Sequence, residues 1–251
     1  MSVVYILAHF DDEYCALPLI EHARLEGQDQ LFLYVADYVG EARGRRRLGE
    51  TQAFLSWLRI DPARVVHVGR GAGAMDGGVY RALPAAYGAI EAALAGVEVK
   101  RLVCPAWEGG HMDHDMCCLL ASEVAAARGG LPVDMVSLYN GKGLPAPLFH
   151  GGRVLDENGP RTIHALAARD FIRWMMAVRF FWRERAWLGL WPTMFWTYAR
   201  HGFGHQRLNP TRLGERPHAG ILLYERMFKV PYADVRAAAD MFLSRRRAGP
   251  A

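Results

Sequence analysis

Residues 3–8 (VVYILA) form an unbroken apolar run rich in β-branched types. That is the pattern of a parallel strand buried on both faces. The run ends abruptly in a polar cluster. From Glu13 to Glu26 the apolar positions Leu17, Ile20, Ala23 and Leu25 recur at near-helical spacing and Gly27 follows, which predicts a helix stopped by glycine. The alternation then continues, with strands predicted over 31–37, 64–68, 101–104 and 133–139 and helices over 45–58, 80–94 and 114–127. Strands separated by helices of about ten to fifteen residues imply right-handed crossovers and a sheet covered on both sides. The expected fold is therefore α/β: a Rossmann-like three-layer α/β/α core with a mostly parallel sheet over roughly residues 1–140.

Beyond Tyr139 the periodicity weakens. Residues 140–162 carry Gly, Pro and Asn punctuation and read as loop. Residues 165–200 are helical in character with interruptions at Gly189 and Pro192, ILLYERMF (221–228) reads as a late strand, and Asp234 to Arg245 as a final helix. There is no internal repeat. The chain 1–251 is read as one domain, a core over 1–140 with a helical, arginine- and tryptophan-rich elaboration over 141–251.

Composition narrows the class. With 51% hydrophobic, 22% charged and 11% aromatic residues in 251, the chain is neither disordered, collagenous nor coiled-coil. Its four cysteines, Cys15, Cys104, Cys117 and Cys118, make no disulfide framework, and a reducing, cytoplasmic home is expected. The opening MSVVYILAHFDDE lacks a cationic segment and offers too few apolar residues for a signal peptide or a membrane span.

The net charge of +4 is unevenly spread: Arg153 to Arg216 holds eleven Arg, no Lys and five acids, together with five of the seven tryptophans. Within it Phe171 to Arg185 interleaves aromatic and arginine residues, and Ala186 to Ala199 is almost uncharged yet shorter than the roughly twenty residues a span requires. Three readings stay open for 171–199: helices covering the sheet, a dimer interface, or a peripheral surface on lipid headgroups. Nucleic-acid binding is set aside, since no zinc-finger, helix-turn-helix or RRM pattern accompanies the arginines.

Parallel sheets bind ligands beyond the carboxyl ends of their strands. The first strand delivers Ala8–Glu13 (AHFDDE) there and the fourth delivers Pro105–Asp115 (PAWEGGHMDHD), which gathers imidazoles and carboxylates at one rim. Such crowding of like charge is costly unless a cation binds among it. Zinc suits His9, Asp12 and His114 as three protein ligands with a position left for water. Asp11 is then free to accept the proton of the attacking water, and His111, one helical turn before His114, to donate to an oxyanion or a leaving amine. Asp113 is placed to orient His111 by accepting its second N–H. Glu13, Glu108 and Asp115 carry an equally good structural reading as helix-terminal acids.

At these residues the chain resembles the PIG-L/LmbE-like zinc-dependent N-deacetylases. The family's AHPDDE stands here as AHFDDE at 8–13 and its GHPDH as GHMDH at 110–114, with Phe10 and Met112 in place of the two prolines. The resemblance implies Zn2+ on His9, Asp12 and His114, Asp11 as general base, and His111 as oxyanion and acid group. It further implies Arg47 (of Arg47-x-x-Glu50) and Asp76 (of Asp76-Gly77) near a sugar. The substrate implied is an N-acetylglucosamine-type conjugate or glycolipid head group. An amidase acting on a non-sugar conjugate and a non-catalytic binding module are the alternatives. A tyrosine that some members carry two residues before the oxyanion histidine is Gly109 here. The resemblance covers roughly residues 1–140.

Overall fold

The first apolar run becomes β1 (Ser2–Leu7), buried from its second residue onward because helices cover both its faces. The computed structural model describes residues 1–145 and 147–248; Ala146, within the predicted loop 140–162, and residues 249–251 lie outside the described residues. After β1 come α1 (Leu17–Leu25), β2 (Asp29–Tyr34), α2 (Glu41–Trp57), β3 (Val65–His67), α3 (Leu83–Ala93), β4 (Val99–Pro105), α4 (Met112–Ala127) and β5 (Val133–Val136). A two-residue hairpin pair, β6 (Tyr139–Asn140) and β7 (His150–Gly151), leads to β8 (Arg161–His164), α5 (Ala168–Met176), α6 (Ala186–His201), β9 (Phe203–Arg207), α7 (Leu223–Met227) and α8 (Tyr232–Ala248).

The main sheet runs in the order β3-β2-β1-β4-β5-β9-β8. Its first five strands are parallel, β9 runs against β5, and β8 against β9. Winding proceeds outward from β1 through β2 to β3, then resumes on the other side of β1 with β4. The order reverses between β1 and β4, and their carboxyl ends flank the crevice where such sheets bind ligands. Successive residues of β1 serve opposite layers. Val4 and Ile6 join the core formed with α3, α4 and α8, whereas Val3, Tyr5 and Leu7 join that formed with α1, α2, α5 and α6. All four cysteines are free and buried in these cores.

The C-terminal half departs from its sequence pattern in three places. Helix α6 runs unbroken through Gly189 and Pro192, and the interruption lies earlier, in a 3-10 turn at Ala177–Phe181 and the residues after it. Pro192 removes the donor for the Leu188 carbonyl, but both positions are exposed, where a missing backbone bond costs least. The stretch 221–228 is the short helix α7 rather than a strand. Glu225 accepts the Leu222 N–H (2.7 Å) and the Leu223 N–H is taken by the Gly109 carbonyl (2.9 Å), which leaves no ladder to join. The late strand is instead β9, which pairs with β5 on one side and β8 on the other.

Candidate metal centre

The two strand-end segments are shaped by carboxylates bound to backbone N–H groups. Asp12 Oδ2 accepts from the N–H of Ala8 (3.0 Å) and His9 (2.8 Å), which turns its side chain back under the end of β1. Between them Asp11 adopts φ 110°, a left-handed conformation that costs a non-glycine residue about 1–3 kcal/mol and is met mainly at functional sites. After β4, Asp115 accepts the N–H groups of Glu108 and Gly109 (both 3.1 Å) and closes the loop that leads into α4. Glu108 accepts from Leu138 (2.7 Å) and Tyr139 (3.0 Å) and ties that loop to the segment after β5. Glu13, also buried, accepts the Asp11 N–H (2.9 Å). These three acids build loops and do not face the cavity.

His9, Asp12 and His114 converge. His9 Nδ1 lies 3.2 Å from His114 Nε2, Asp12 Oδ1 3.3 Å from His114 Nε2, and Asp12 Oδ2 3.8 Å from His9 Nδ1. A tetrahedral ion with ligands at roughly 2.0–2.2 Å separates its donor atoms by about 3.3–3.6 Å, so the triangle is of the right size for zinc. The proton positions agree. His9 Nε2 sits between Asp76 Oδ1 (3.2 Å) and Asp113 Oδ2 (3.3 Å), which fixes the N–H on that side and leaves a lone pair on Nδ1 aimed into the triangle. Burial by itself would depress the His9 pKa, yet hydrogen bonds to Asp113, Asp12 and Asp76 overcome it and raise the group well above its ordinary value. The surrounding carboxylates thus favour a cation at His9 Nδ1, a proton in the metal-free chain or a metal ion in its place. His114 Nδ1 is buried without a hydrogen-bond partner among the described residues. A second donor set, His9, Asp76, His111 and Asp113, is contiguous with the first, but it uses the His9 nitrogen whose proton those carboxylates already accept.

Asp11 stands beside the triangle, held from two sides. Arg47 from α2 donates to Oδ1 (2.6 Å) and Trp187 Nε1–H from α6 donates to Oδ2 (2.9 Å). Burial raises its pKa to about 6, against the opposing pull of Arg47. His111 caps α4, and its Nδ1 accepts the Asp113 backbone N–H (3.2 Å), leaving the ring proton on Nε2. Burial is the main cause that pushes the His111 pKa down to about 3, with the neighbouring imidazoles adding to it, so this ring is a neutral N–H donor.

One expected contact is replaced, and two residues expected near a substrate are found at the cavity with protein partners. The Asp113 carboxylate lies 3.8 Å from His111 Nδ1, beyond hydrogen bonding, because it is engaged by the N–H groups of Gly77 (2.6 Å) and Val79 (3.0 Å) and by His9. Asp113 therefore orients His9, not His111. Arg47 is buried over the Tyr38 ring at the cavity wall, with its guanidinium engaged by the Asp11 carboxylate and the Phe10 carbonyl. Asp76 lines the cavity but points one oxygen at His9, with Arg43 near the other (3.7 Å).

A cavity of about 230 Å3 opens over these groups. Much of its wall comes from residues the sequence pattern did not single out: Trp187 and Glu184 from the C-terminal half, Tyr139, and Phe228, whose ring meets His111 edge-on at 4.7 Å. Gly109 has φ +67°, and a Cβ there would lie 2.7 Å from Leu222 Cδ2, so the docking of α7 leaves no room for a tyrosine at this position.

No family model and no curated protein matches the chain. Solved structures do. A triple mutant of a deacetylase in the teicoplanin biosynthetic pathway superposes with TM-score 0.59 at 18% identity, over 83% of this chain and 97% of that one. The zinc-inhibited form of teicoplanin deacetylase Orf2 gives 0.58 at 15%, over 83% and 98%. These likenesses establish the fold. The 4-carboxy-2-hydroxymuconate hydratase GalB of Pseudomonas putida has it as well (0.51, 13% identity, 83% and 95% covered), so one scaffold carries deacetylases and a hydratase, and chemistry must be argued from the side chains.

Proposed function

We propose that the chain is a zinc-dependent N-deacetylase that hydrolyses the acetamide of an N-acetylated amino sugar carried on a larger conjugate. The observation that carries this reading is the buried triangle of His9 Nδ1, Asp12 Oδ1 and His114 Nε2 with Asp11 fixed beside it. Among proteins of this fold, the teicoplanin-pathway deacetylases support the choice of an amide in a sugar-bearing substrate.

Zinc bound to His9, Asp12 and His114 would supply the Lewis acid that polarises the amide carbonyl and acidifies water. The rest of the chemistry belongs to the chain. Asp11 accepts the proton of the attacking water; Arg47 and Trp187 hold its carboxylate in place while each oxygen keeps a free lone pair. His111 donates Nε2–H to the carbonyl oxygen as negative charge gathers there, and a neutral ring does so without placing a second cation next to the metal ligands. Asp76 and Asp113 keep His9 in the tautomer that faces the triangle. Trp187 and Leu190 on one side and Phe228 on the other give the cavity apolar walls that limit water.

The test is metal content together with acetate release from a panel of N-acetylglucosamine conjugates. Asp11→Asn is expected to keep its zinc and lose nearly all turnover, and His114→Ala to lose the zinc itself. Wild-type protein that binds no divalent metal, or an Asp11→Asn variant as active as the parent, would refute the reading.

A further inference from the structure

Helices α5 and α6 pack side by side through Phe171 and Phe195, whose rings lie 5.2 Å apart. Each buries one stripe against the sheet: Trp174 and Met175 from α5, and Trp187, Leu190, Met194 and Tyr198 from α6. The opposite stripe of a surface helix is ordinarily polar. Here it is apolar. Ile172 and Met176 on α5, Trp182 in the connection, and Leu188, Phe195 and Trp196 on α6 are between 39% and 77% exposed. On α6 the outward positions also include Pro192 and Ala199, so the face carries no charge until Arg200.

Arginines frame this face. Between residues 168 and 201 there are six, against two acids. Arg173 is paired with Glu21 (2.6 Å), whereas Arg169, Arg179, Arg183, Arg185 and Arg200 have no ion pair among the described residues. Of the two acids, Glu184 is already held by Arg43 and Arg46. No helix among the described residues is long and apolar enough to cross a membrane.

We propose that this face rests on an anionic lipid bilayer, with its aromatic and aliphatic side chains in the headgroup boundary and its arginines on lipid phosphates. Charge decides between occupants. A second copy of the chain would set the patch against itself about a two-fold axis and bring unpaired arginines together with almost no acids to meet them. A phosphate-rich surface supplies the missing counter-charge. Helix α6 begins at Ala186 and Trp187, both in the wall of the cavity. A lipid-anchored head group would therefore arrive at the cavity mouth; that consequence, unlike the docking, rests on the deacetylase reading.

The test is co-sedimentation of the full chain with vesicles of equimolar phosphatidylglycerol and phosphatidylcholine at low salt, with pure phosphatidylcholine alongside. Binding is expected to the anionic vesicles alone and to weaken with salt. Leu188→Ser combined with Trp196→Ser should abolish it. Arg183→Glu with Arg185→Glu should weaken it by about fivefold or more per arginine. Both pairs should keep the circular dichroism of the parent and its acetate release from a water-soluble substrate. The docking proposal fails if the parent stays in the supernatant or if the variants sediment as it does. It fails equally if sedimentation equilibrium shows a dimer that Leu188→Ser/Trp196→Ser splits. Normal vesicle binding with no deacetylation in any preparation would sink the activity and leave the docking standing.

Discussion

Replacing Trp187 with Phe tests whether the C-terminal half takes part in the chemistry. The substitution keeps an aromatic ring against Tyr14, whose centroid is 4.7 Å away, and removes the Nε1–H that donates to Asp11 Oδ2 at 2.9 Å. Asp11 is buried and has two side-chain donors, Trp187 and Arg47, so the change takes away one of the two restraints on the base. A hydrogen bond to a charged group contributes about 1.5–3 kcal/mol, which corresponds to a fall in kcat of about 10- to 100-fold. KM should change little, because the acetamide gains nothing from the indole nitrogen. The assay is steady-state acetate release under saturating zinc, with metal content measured on the same preparation. Trp191→Phe is the matched control: it lies on the same helix, but its Nε1–H goes to the Met175 carbonyl (2.8 Å), away from Asp11. Equal kcat in the Trp187 and Trp191 variants at full metal loading would refute the assigned positioning role.

Other expectations follow from the loops. Asp113→Ala removes the acceptor for the N–H groups of Gly77 and Val79, so thermal melting of metal-stripped protein should fall by roughly 5–15 °C; an unchanged melt would show that the loop at 76–79 stands without it. Gly109→Ala places a Cβ 2.7 Å from Leu222 at φ +67° and should cost about 1–3 kcal/mol in urea titration. Gly27→Ala, at φ +66° with open space around it, should cost less. His164 and His205 lie 3.1 Å apart, and burial is the first cause that holds both below the ordinary histidine value. A depressed imidazole binds its proton more tightly in the unfolded chain, so its contribution is complete above pH 6.5 and is lost as pH falls through the folded value. The melting temperature should drop on acidification from about pH 6.5, and His164→Gln should flatten that drop; a parallel curve would exclude the pair as its source.

The parallel half of the fold was legible because its strands are apolar runs alternating with helices, of which α1, α3 and α4 are each followed within three residues by a glycine, and because strand ends in chain order become one rim of the sheet. His9, Asp11, Asp12 and His114 could be placed from that rule alone. The remainder depended on contacts between distant segments. The edge strand β8 (RTIH) is almost fully exposed and carries no apolar run, and β9 (FGHQR) is largely polar. ILLYERMF has the composition of a strand, but its backbone is claimed by Gly109 and Glu225. Pro192 looks like a helix breaker and is tolerated because its side of α6 is exposed. Arg47 sits in a run of arginines that reads as a solvated helix face; only its approach to Asp11 from across the crevice sets it apart. Trp187 gave no signal either, since nothing in sequence separates an indole that packs from one that donates to a carboxylate.

The two grips on Asp11 come from opposite ends of the chain, Arg47 from an early crossover helix and Trp187 from a late one. Anyone wishing to reshape the cavity would turn first to the late helices that wall it. Edits at the start of α6, however, alter the hold on Asp11 as they alter the wall. A graft of that helix from a homologue would have to bring its own indole, or its own substitute for one, at the same spot, and shortening the protein to its well-patterned front half would leave the aspartate gripped on one side only.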